Sequence, residues 1–242
     1  MIDRLAVRHR PPGWPVLHQR WHRLLFLHWR FAPETVRPLV PAALELDLCD
    51  GAAWVGLTVF SVSRMRPSFV PPVPLLSDAH EINMRTYVHR DGVPGLWFFS
   101  LDATNLLAVC AARLTYRLPY YLARMRVRAN NGGVSFHSER IAVRATFQAA
   151  WQCGETLPDP NPGTLDFFLI ERYVLYAGSS GHLLRARIHH RPWPLRRATL
   201  MQLDSTLLEA QGLPTPRDLP LVHAQAMPFD VAVWAPTRVN VS

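Results

Sequence analysis

Polar and apolar residues alternate over positions 81–89, which predicts a β-strand with two chemically different faces. One face carries Ile82, Met84, Thr86 and Val88, and the other carries Glu81, Asn83, Arg85, Tyr87 and His89. The next segment, 95–101, is apolar on both faces, and so is 53–65. Such two-sided patterns are typical of strands that are covered on both sides.

Turn dipeptides divide the rest of the pattern into hairpins. Asp50-Gly51, Asp91-Gly92 and Asn131-Gly132 stand between apolar segments, and the first is expected to join 44–48 to 53–65. A proline-rich loop is predicted at 66–77. Further strands are predicted at 21–31, 120–129, 173–178, 182–190, 195–203, 221–227 and 230–235.

Helical patterns are few, and they do not alternate with the strands. The first predicted helix begins at position 33, and three others cover 104–116, 164–172 and 204–211. Asp102 or Thr104 is the expected N-cap of the helix over 104–116. Since β-α-β alternation and a GxGxxG motif are both missing, we expect a single α+β domain. It would be a large curved antiparallel sheet or barrel over 21–242, with helices at its edges and an extension at 1–20.

The charged residues narrow the chemistry. Among 242 residues there are 26 basic side chains, and all of them are arginine. Without a lysine amine, no side chain can form a Schiff base or hold pyridoxal phosphate. The net charge of +8 suits a polyanion partner or reflects a genome rich in arginine codons, and the even spread of arginine favours the second.

The sequence shows no pattern for membrane insertion, export or metal binding. No apolar run reaches 18 residues, and arginine and proline interrupt positions 1–14, so we expect a cytoplasmic protein. Cys49, Cys110 and Cys153 lie far apart, and the 11 histidines lack a complete ligand spacing. We therefore expect no disulfide, no metal and no cofactor.

The polar face of strand 81–89 is the first candidate site. It either faces water or lies inside the sheet, and the apolar strand beside it favours the inside. A buried Glu81 must be paired, so its neighbours Asn83 and Arg85 would then form a site. Arg113, within the predicted second helix, either binds the last carbonyls of that helix or points into the pocket. His190, on the apolar face of its strand, is a core histidine or a ligand-binding one.

A basic face gives the alternative function. Arg124, Arg126 and Arg128 share one side of strand 120–129, and Arg140 and Arg144 are expected near them across the hairpin. This Arg124–Arg144 face would suit nucleic acid or another polyanion, but aromatic residues for base stacking are not interleaved with it. A solvated outer face is the simpler interpretation, which makes nucleic acid the less favoured partner.

With these segments in place, the chain resembles the YqjF-like family of uncharacterised proteins within the acetoacetate decarboxylase-like superfamily. The resemblance spans about 21 to 234, and it implies a cone-shaped antiparallel barrel with a central pocket. The stretches that carry it are WHRLLFLHWRF, LELDLCDGAAWVGLTVF, EINMRTYVHRDGVPGLWFFSLDA, AARLTYRLPYYLA, LIERYVLYA and HHRPWPL.

The more distant decarboxylases of that superfamily imply roles for single residues. HWRFAPE is similar to their Tyr-Arg-Thr-Asp strand end, which places Arg30 on the arginine that binds the substrate carboxylate. Glu81 is similar to their strand glutamate, and Arg113 to the arginine of a Gly-Arg-Glu helix. Tyr120 and Tyr121 stand where the paired lysines would be, and tyrosine cannot form an imine.

Together these residues predict a pocket for a small carbonyl or carboxylate compound rather than an acetoacetate decarboxylase. Glu81 would act as general acid and base, and Tyr120 or Tyr121 would donate to the carbonyl. Hydration, dehydration and enolisation all suit this set, as does binding without catalysis, and a homo-oligomer remains one alternative. The substrate-binding residues would be Arg30, Asn83, Arg85, Arg113 and His190.

Overall fold

The computed structural model describes residues 2–73, 77–179, 181–225 and 227–240. Positions 74–76 of the predicted proline-rich loop, Ala226 at the end of the predicted strand 221–227, and both chain ends lie outside the described residues. The helices are α1 (Pro33–Val36), α2 (Leu106–Thr115) and α3 (Leu165–Ile170). Single 3-10 turns occupy Ala6–Arg8, Arg37–Leu39 and Glu209–Gln211.

Fourteen strands form one sheet within the described residues. Their bounds are β1 (Leu17–Phe31), β2 (Glu45–Leu46), β3 (Ala53–Pro67), β4 (Ala79–Arg90), β5 (Val93–Ala103), β6 (Tyr120–Asn130), β7 (Gly133–Arg140), β8 (Thr146–Thr156), β9 (Val174–Ser179), β10 (His182–His189), β11 (Leu195–Ser205), β12 (Leu221–Gln225), β13 (Phe229–Val233) and β14 (Thr237–Arg238).

The strand pairings close into two rings that share β1, β3, β4 and β5. One ring returns from β5 to β1 through β9, β10 and β13. The other returns through β6, β7, β8, β11 and β12. The expectation of an α+β fold built on a large curved sheet with few helices is therefore confirmed.

The shared strands bury apolar residues on both faces. Leu25 of β1 and Leu57 of β3 belong to one hydrophobic cluster, and Phe26 and Phe60 of the same strands belong to another. Side chains alternate between the two faces of a strand, so each strand contributes to both clusters. The two-sided apolar pattern of 53–65 predicted this burial correctly.

The sheet is mixed, whereas the sequence predicted an antiparallel one. β5 pairs in parallel with both β6 and β9. The first pairing arises because α2 carries the chain from the end of β5 back to the start of β6, which makes a β-α-β unit. A single unit of this kind gives no repeating pattern in the sequence.

Three local predictions need correction. β2 pairs with β4 instead of β3, so the Asp50-Gly51 turn closes only the bridge between Cys49 and Ala52. The N-cap of α2 is Asn105, whose side chain accepts from the backbone of Ala108, since the expected caps at 102 and 104 lie at the end of β5 or just beyond it. The predicted helix 204–211 is only a 3-10 turn, which ends at Gly212 with φ +79°.

The segment before β1 lies along the sheet. β1 begins at Leu17, four residues ahead of the expected domain start at 21. The Arg4 guanidinium binds the Asp47 carboxylate, and Arg187 donates to the carbonyls of Val7 (2.9 Å) and His9 (2.8 Å). These contacts fix the N-terminal segment beside residues that reach the interior.

Candidate functional site

A cavity of about 590 Å³ lies between the sheet and α2. Its volume falls in the range of cavities that enclose small organic ligands. Apolar side chains form most of its wall, including Trp21, Val62, Leu96, Phe98, Leu101, Ile170 and Trp193. Polar residues from several elements also line it, and three of them come from β4. The polar lining residues are Gln19, Arg66, Ser77, Glu81, Asn83, Arg85, Asn105, Thr115, Tyr116, Tyr120 and Arg172.

Three alternate residues of β4 point into this cavity. Glu81, Asn83 and Arg85 are 8%, 6% and 6% exposed and all line the cavity, so this part of the polar face does not lie in water. The alternation that predicted the strand also predicted that they share a face. The opposite face of β4 packs Ile82 and Met84 into the other hydrophobic cluster.

Glu81 is held by two donors inside the cavity wall. The Tyr120 hydroxyl donates to Oε1 over 2.6 Å, and the Asn83 amide, oriented with its nitrogen toward the carboxyl group, donates to the same atom over 3.0 Å. Burial raises the pKa of Glu81 to about 7, although the two hydrogen bonds oppose that shift. The side chain is therefore able both to take and to give a proton near neutral pH.

Arg85 is a buried cation without a carboxylate partner among the described residues. Its Nε and Nη2 atoms have no hydrogen-bond acceptor in that part of the chain, and its guanidinium lies 5.4 Å from the Phe26 ring. Burial lowers its pKa, but an arginine still keeps its proton at neutral pH. A buried charge of this kind calls for an anion, and the cavity is where one has access.

A second buried arginine, which no sequence pattern indicated, lines the same cavity. Arg172 donates to Asp47 (2.8 Å) and to the Phe168 carbonyl (2.8 Å), while its Nη2 has no partner in the described chain. Because Arg4 binds Asp47 as well, one carboxylate serves two arginines. In the sequence, Arg172 stands only as part of a charged pair, Glu171-Arg172, between two apolar runs.

Tyr87 lies close to both Arg85 and Arg172. The Arg172 guanidinium lies over its ring at 4.8 Å, and its hydroxyl donates to the Leu169 carbonyl over 2.7 Å. Burial raises the pKa of Tyr87, whereas the positive charges of Arg85 and Arg172 both lower it. This end of the cavity is therefore electropositive.

The two consecutive tyrosines point to different surroundings. Tyr120 lines the cavity and binds Glu81, whereas the ring of Tyr121 lies 4.1 Å from the guanidinium of Arg140. Arg140 in turn forms a buried ion pair with Asp102 (2.8 Å). Tyr121 does not line the cavity, as strand alternation requires of a residue next to Tyr120.

Three of the predicted substrate-binding residues lie away from the cavity. Arg30 is exposed and donates to the Asp50 carbonyl (3.2 Å), because its strand reaches the surface there. Arg113 is exposed, and its Nε donates to the Tyr120 backbone carbonyl (2.8 Å), which ties α2 to β6. His190 is buried but stacks on Tyr173 with ring centroids 4.5 Å apart, so it is a packing residue of the core.

The small residues of α2 form another part of the cavity wall. Ala108, Ala111, Ala112 and Thr115 line the cavity at the spacing of one helix face. The apolar stripe that the sequence indicates on this helix, Leu107, Cys110, Ala111 and Leu114, is not its buried face, because Leu107, Cys110 and Leu114 are exposed. Leu106 and Leu114 lie on the outside and are exposed.

The basic face is smaller than the sequence predicted. Arg124, Arg126, Arg128 and Arg144 are exposed, but Arg140 is buried against Asp102. Glu139 stands opposite Arg124 in the register of β6 and β7 and reduces the positive charge there. No observation on the described chain marks this face as a binding surface for a polyanion.

Two features concern membranes and metals. None of the helices in the described ranges has the length and apolar character needed to cross a membrane. Within those same ranges, no three His, Cys, Asp or Glu side chains converge as ligands for a metal ion.

Comparison with known sequences identifies relatives over nearly the whole chain. A family model named DUF2071, described as an uncharacterized conserved protein, matches residues 18–227. The uncharacterized protein YqjF of Bacillus subtilis is 36% identical over 225 residues, which cover 93% of each chain.

Comparison with solved structures identifies the fold. The enduracididine biosynthesis enzyme MppR complexed with pyruvate has a TM-score of 0.67 at 12% identity, covering 94% of this chain and 91% of that one. An acetoacetate decarboxylase-like enzyme from Sphingomonas wittichii gives 0.63 at 13% identity and 93% of both chains. The acetoacetate decarboxylase of Legionella pneumophila gives 0.60 at 12% identity, over 95% and 88% of the two chains. At these identities the likeness shows the fold alone.

Proposed function

Since the chain belongs to the DUF2071 family of uncharacterized conserved proteins and has an acetoacetate decarboxylase-like fold, we propose that its cavity binds a carbonyl compound that carries a carboxylate. The observation that carries this proposal is Arg85. A buried guanidinium at a cavity, with two nitrogen atoms (Nε and Nη2) that find no acceptor in the described part of the chain, is the chemistry that recognises a carboxylate. The partly neutralised Arg172 adds positive charge at the same end.

The carbonyl group is assigned to the region of Glu81, Asn83 and Tyr120. A phenol hydroxyl and an amide are donors that stabilise charge on a carbonyl oxygen. The Tyr120 hydroxyl, whose single proton points to Glu81 in the ligand-free cavity, turns to that oxygen when the ligand binds. Glu81, with a pKa of about 7, is suited to take a proton from the carbon beside that carbonyl. The C–H electron pair then moves into an enolate, whose oxygen these donors stabilise, and protonation by Glu81 reverses the step.

The proposed chemistry is therefore of the lyase, hydratase or isomerase type, through enolisation, hydration or dehydration. It does not include Schiff-base catalysis, because the sequence holds no lysine. The pyruvate complex of MppR supports the proposal in one respect, since it pairs this fold with a small oxo acid. Tyr121, Arg30, Arg113 and His190 are not included, because their side chains lie outside the cavity.

Calorimetric titration with 2-oxohexanoate and with 2-hexanone tests the binding step. The wild type should bind the acid and should bind the ketone at least tenfold more weakly. Arg85→Met should lose at least tenfold in affinity for the acid, whereas Arg128→Met, at an exposed position of β6, should keep it. Equal affinity of Arg85→Met and wild type, or no binding of the acid at all, would overturn the proposal.

Hydrogen exchange tests the acid–base step. Proton NMR in deuterated buffer should show faster loss of the C3 protons of 2-oxohexanoate with the wild type than with Glu81→Gln. If the wild type binds the acid but exchanges no faster than buffer, the cavity is a binding site without this chemistry.

A further inference from the structure

The cavity has far more room than a short oxo acid needs. A four-carbon oxo acid has seven non-hydrogen atoms and would fill roughly 200 Å³ at the volume share of a water molecule, ~30 Å³ per atom. The cavity, which is open to solvent on one side, has a volume of about 590 Å³. More than half of its space therefore lies beyond a ligand of that size.

The polar groups are ordered along the cavity. β4 starts at Ala79, and along it Glu81 comes first, Asn83 second and Arg85 third. With about 3.3 Å per residue, the Cα atoms of Glu81 and Arg85 lie roughly 13 Å apart. Arg85 and Arg172 are thus at one end of the cavity, and Glu81 is nearer the other.

The other end opens to solvent, where mostly apolar residues surround it together with Arg66, which also lines the cavity and donates to the Val70 carbonyl. Val16, Val70, Val73 and Leu107 line the cavity and are also exposed, Leu107 by 64%, so these four residues define its mouth. From Leu107 at the mouth, α2 continues along the cavity wall with its small residues Ala108, Ala111 and Ala112. This passage offers hydrophobic walls and space to an apolar group.

We propose that the ligand is a medium-chain 2-oxo acid bound at Asn83, which lies midway between Glu81 and Arg85 on β4, with its carboxylate toward Arg85, its carbonyl toward Glu81 and its hydrocarbon tail directed along α2 to the mouth. This inference rests on the proposed function and adds the substrate class. The small side chains of α2 make room for the tail, and a longer tail replaces water along a hydrophobic wall. Chain length, in addition to the charged end, would then decide affinity.

A series of straight-chain 2-oxo acids from four to ten carbons, titrated by calorimetry, tests the tail. Affinity should rise about threefold to fourfold with each methylene until the tail reaches the mouth. Arg85→Met should weaken every member of the series by a similar factor, because all share the carboxylate. Equal affinity across the series would overturn the medium-chain inference while leaving the proposed function in place.

Blocking the passage provides the matched comparison. Ala112→Leu, which adds bulk on the cavity side of α2, should weaken 2-oxooctanoate at least tenfold and change 2-oxobutanoate less than twofold. Cys110→Leu adds bulk on the exposed side of the same helix and should change neither. As a control, thermal unfolding of both variants should show a cooperative transition like that of the wild type. If Ala112→Leu weakens both acids equally, the tail does not follow α2, and if no acid binds the wild type, the proposed function fails instead.

Discussion

The hydroxyl of Tyr120 donates to Oε1 of Glu81 over 2.6 Å, although 39 residues separate them in the chain. The contact forms because Leu101 of β5 stands between the two strands, opposite Tyr120 on one side and Asn83 on the other. Residues that face each other across neighbouring strands point to the same side of the sheet. The parallel pairing of β5 and β6 therefore brings the tyrosine to the carboxyl group.

The raised pKa of Glu81 predicts a particular pH dependence of stability. The pKa rises from 4.5 to about 7 on folding, so folding favours the protonated carboxyl group. Stability from this group is complete below pH 4.5 and is lost as the pH rises toward about 7. Glu81→Gln cannot ionise, so its free energy of unfolding lacks this pH-dependent loss. The difference in free energy of unfolding between Glu81→Gln and wild type should therefore rise by on the order of 3 kcal/mol between pH 4.5 and 8.

Urea unfolding at a series of pH values measures this difference directly. Glu155→Gln is the matched control, because it removes a carboxylate that is exposed and paired with Arg197. Its curve should run parallel to that of the wild type. A constant difference between Glu81→Gln and wild type over the whole pH range would contradict the assigned protonation of Glu81.

The lack of lysine predicts the outcome of imine trapping. Incubation with a 2-oxo acid and borohydride should add no mass to any internal residue, because arginine stays protonated and no side-chain amine is present. Mass spectrometry of the digested protein makes the measurement. A stoichiometric adduct on an internal peptide would show that a Schiff base forms and would reopen decarboxylase chemistry.

The part of the site on β4 was predictable because strand alternation is a local property. Once 81–89 was taken as a strand, Glu81, Asn83 and Arg85 had to share a face, and the apolar neighbour at 95–101 favoured the interior. The positions of most strands followed similarly from hairpin turns and two-sided apolar segments. The parallel pairings of β5 did not, because they depend on where α2 returns the chain.

Two residues to which the resemblance gave a role, Arg30 and Arg113, lie outside the cavity, whereas Tyr120 lines it. Similarity in residue order and type does not fix the direction of a side chain. The structure turns Arg113 outward, where it binds the Tyr120 carbonyl. No local sequence pattern indicates Arg172, because its partner Asp47 is 125 residues away in the chain.

The buried ion pair behind Tyr121 predicts a large loss of stability when it is broken. Arg140 donates through Nε to both carboxylate oxygens of Asp102 (2.9 Å each) and through Nη2 to Ser100 (2.7 Å). Asp102→Asn leaves a buried guanidinium without its counter-charge and should cost about 3–5 kcal/mol in the free energy of unfolding. Glu155→Gln, which breaks an exposed pair, should cost less than about 1 kcal/mol. Equal losses from the two changes in urea unfolding would mean that the Asp102 pair is not buried as described.

The consecutive tyrosines allow a closely matched test of the site. Tyr120→Phe removes a hydrogen bond that holds down the pKa of Glu81, so that pKa should rise further above its ordinary value. Affinity for 2-oxohexanoate should fall about fivefold, the effect of roughly one hydrogen bond of ~1 kcal/mol. Tyr121→Phe keeps the ring beside Arg140 and lies outside the cavity, so both quantities should stay at the wild-type value.

Calorimetry over a pH series measures both quantities at once, since the midpoint of the pH dependence reports the Glu81 carboxyl group. The comparison is informative because the two changes delete the same atom from adjacent residues of one strand. Equal effects at the two positions would point to a general loosening of β6. A larger effect at Tyr121 would place the ligand on the other side of the strand and contradict the assigned cavity. Only a selective effect at Tyr120 agrees with a carbonyl bound beside Glu81.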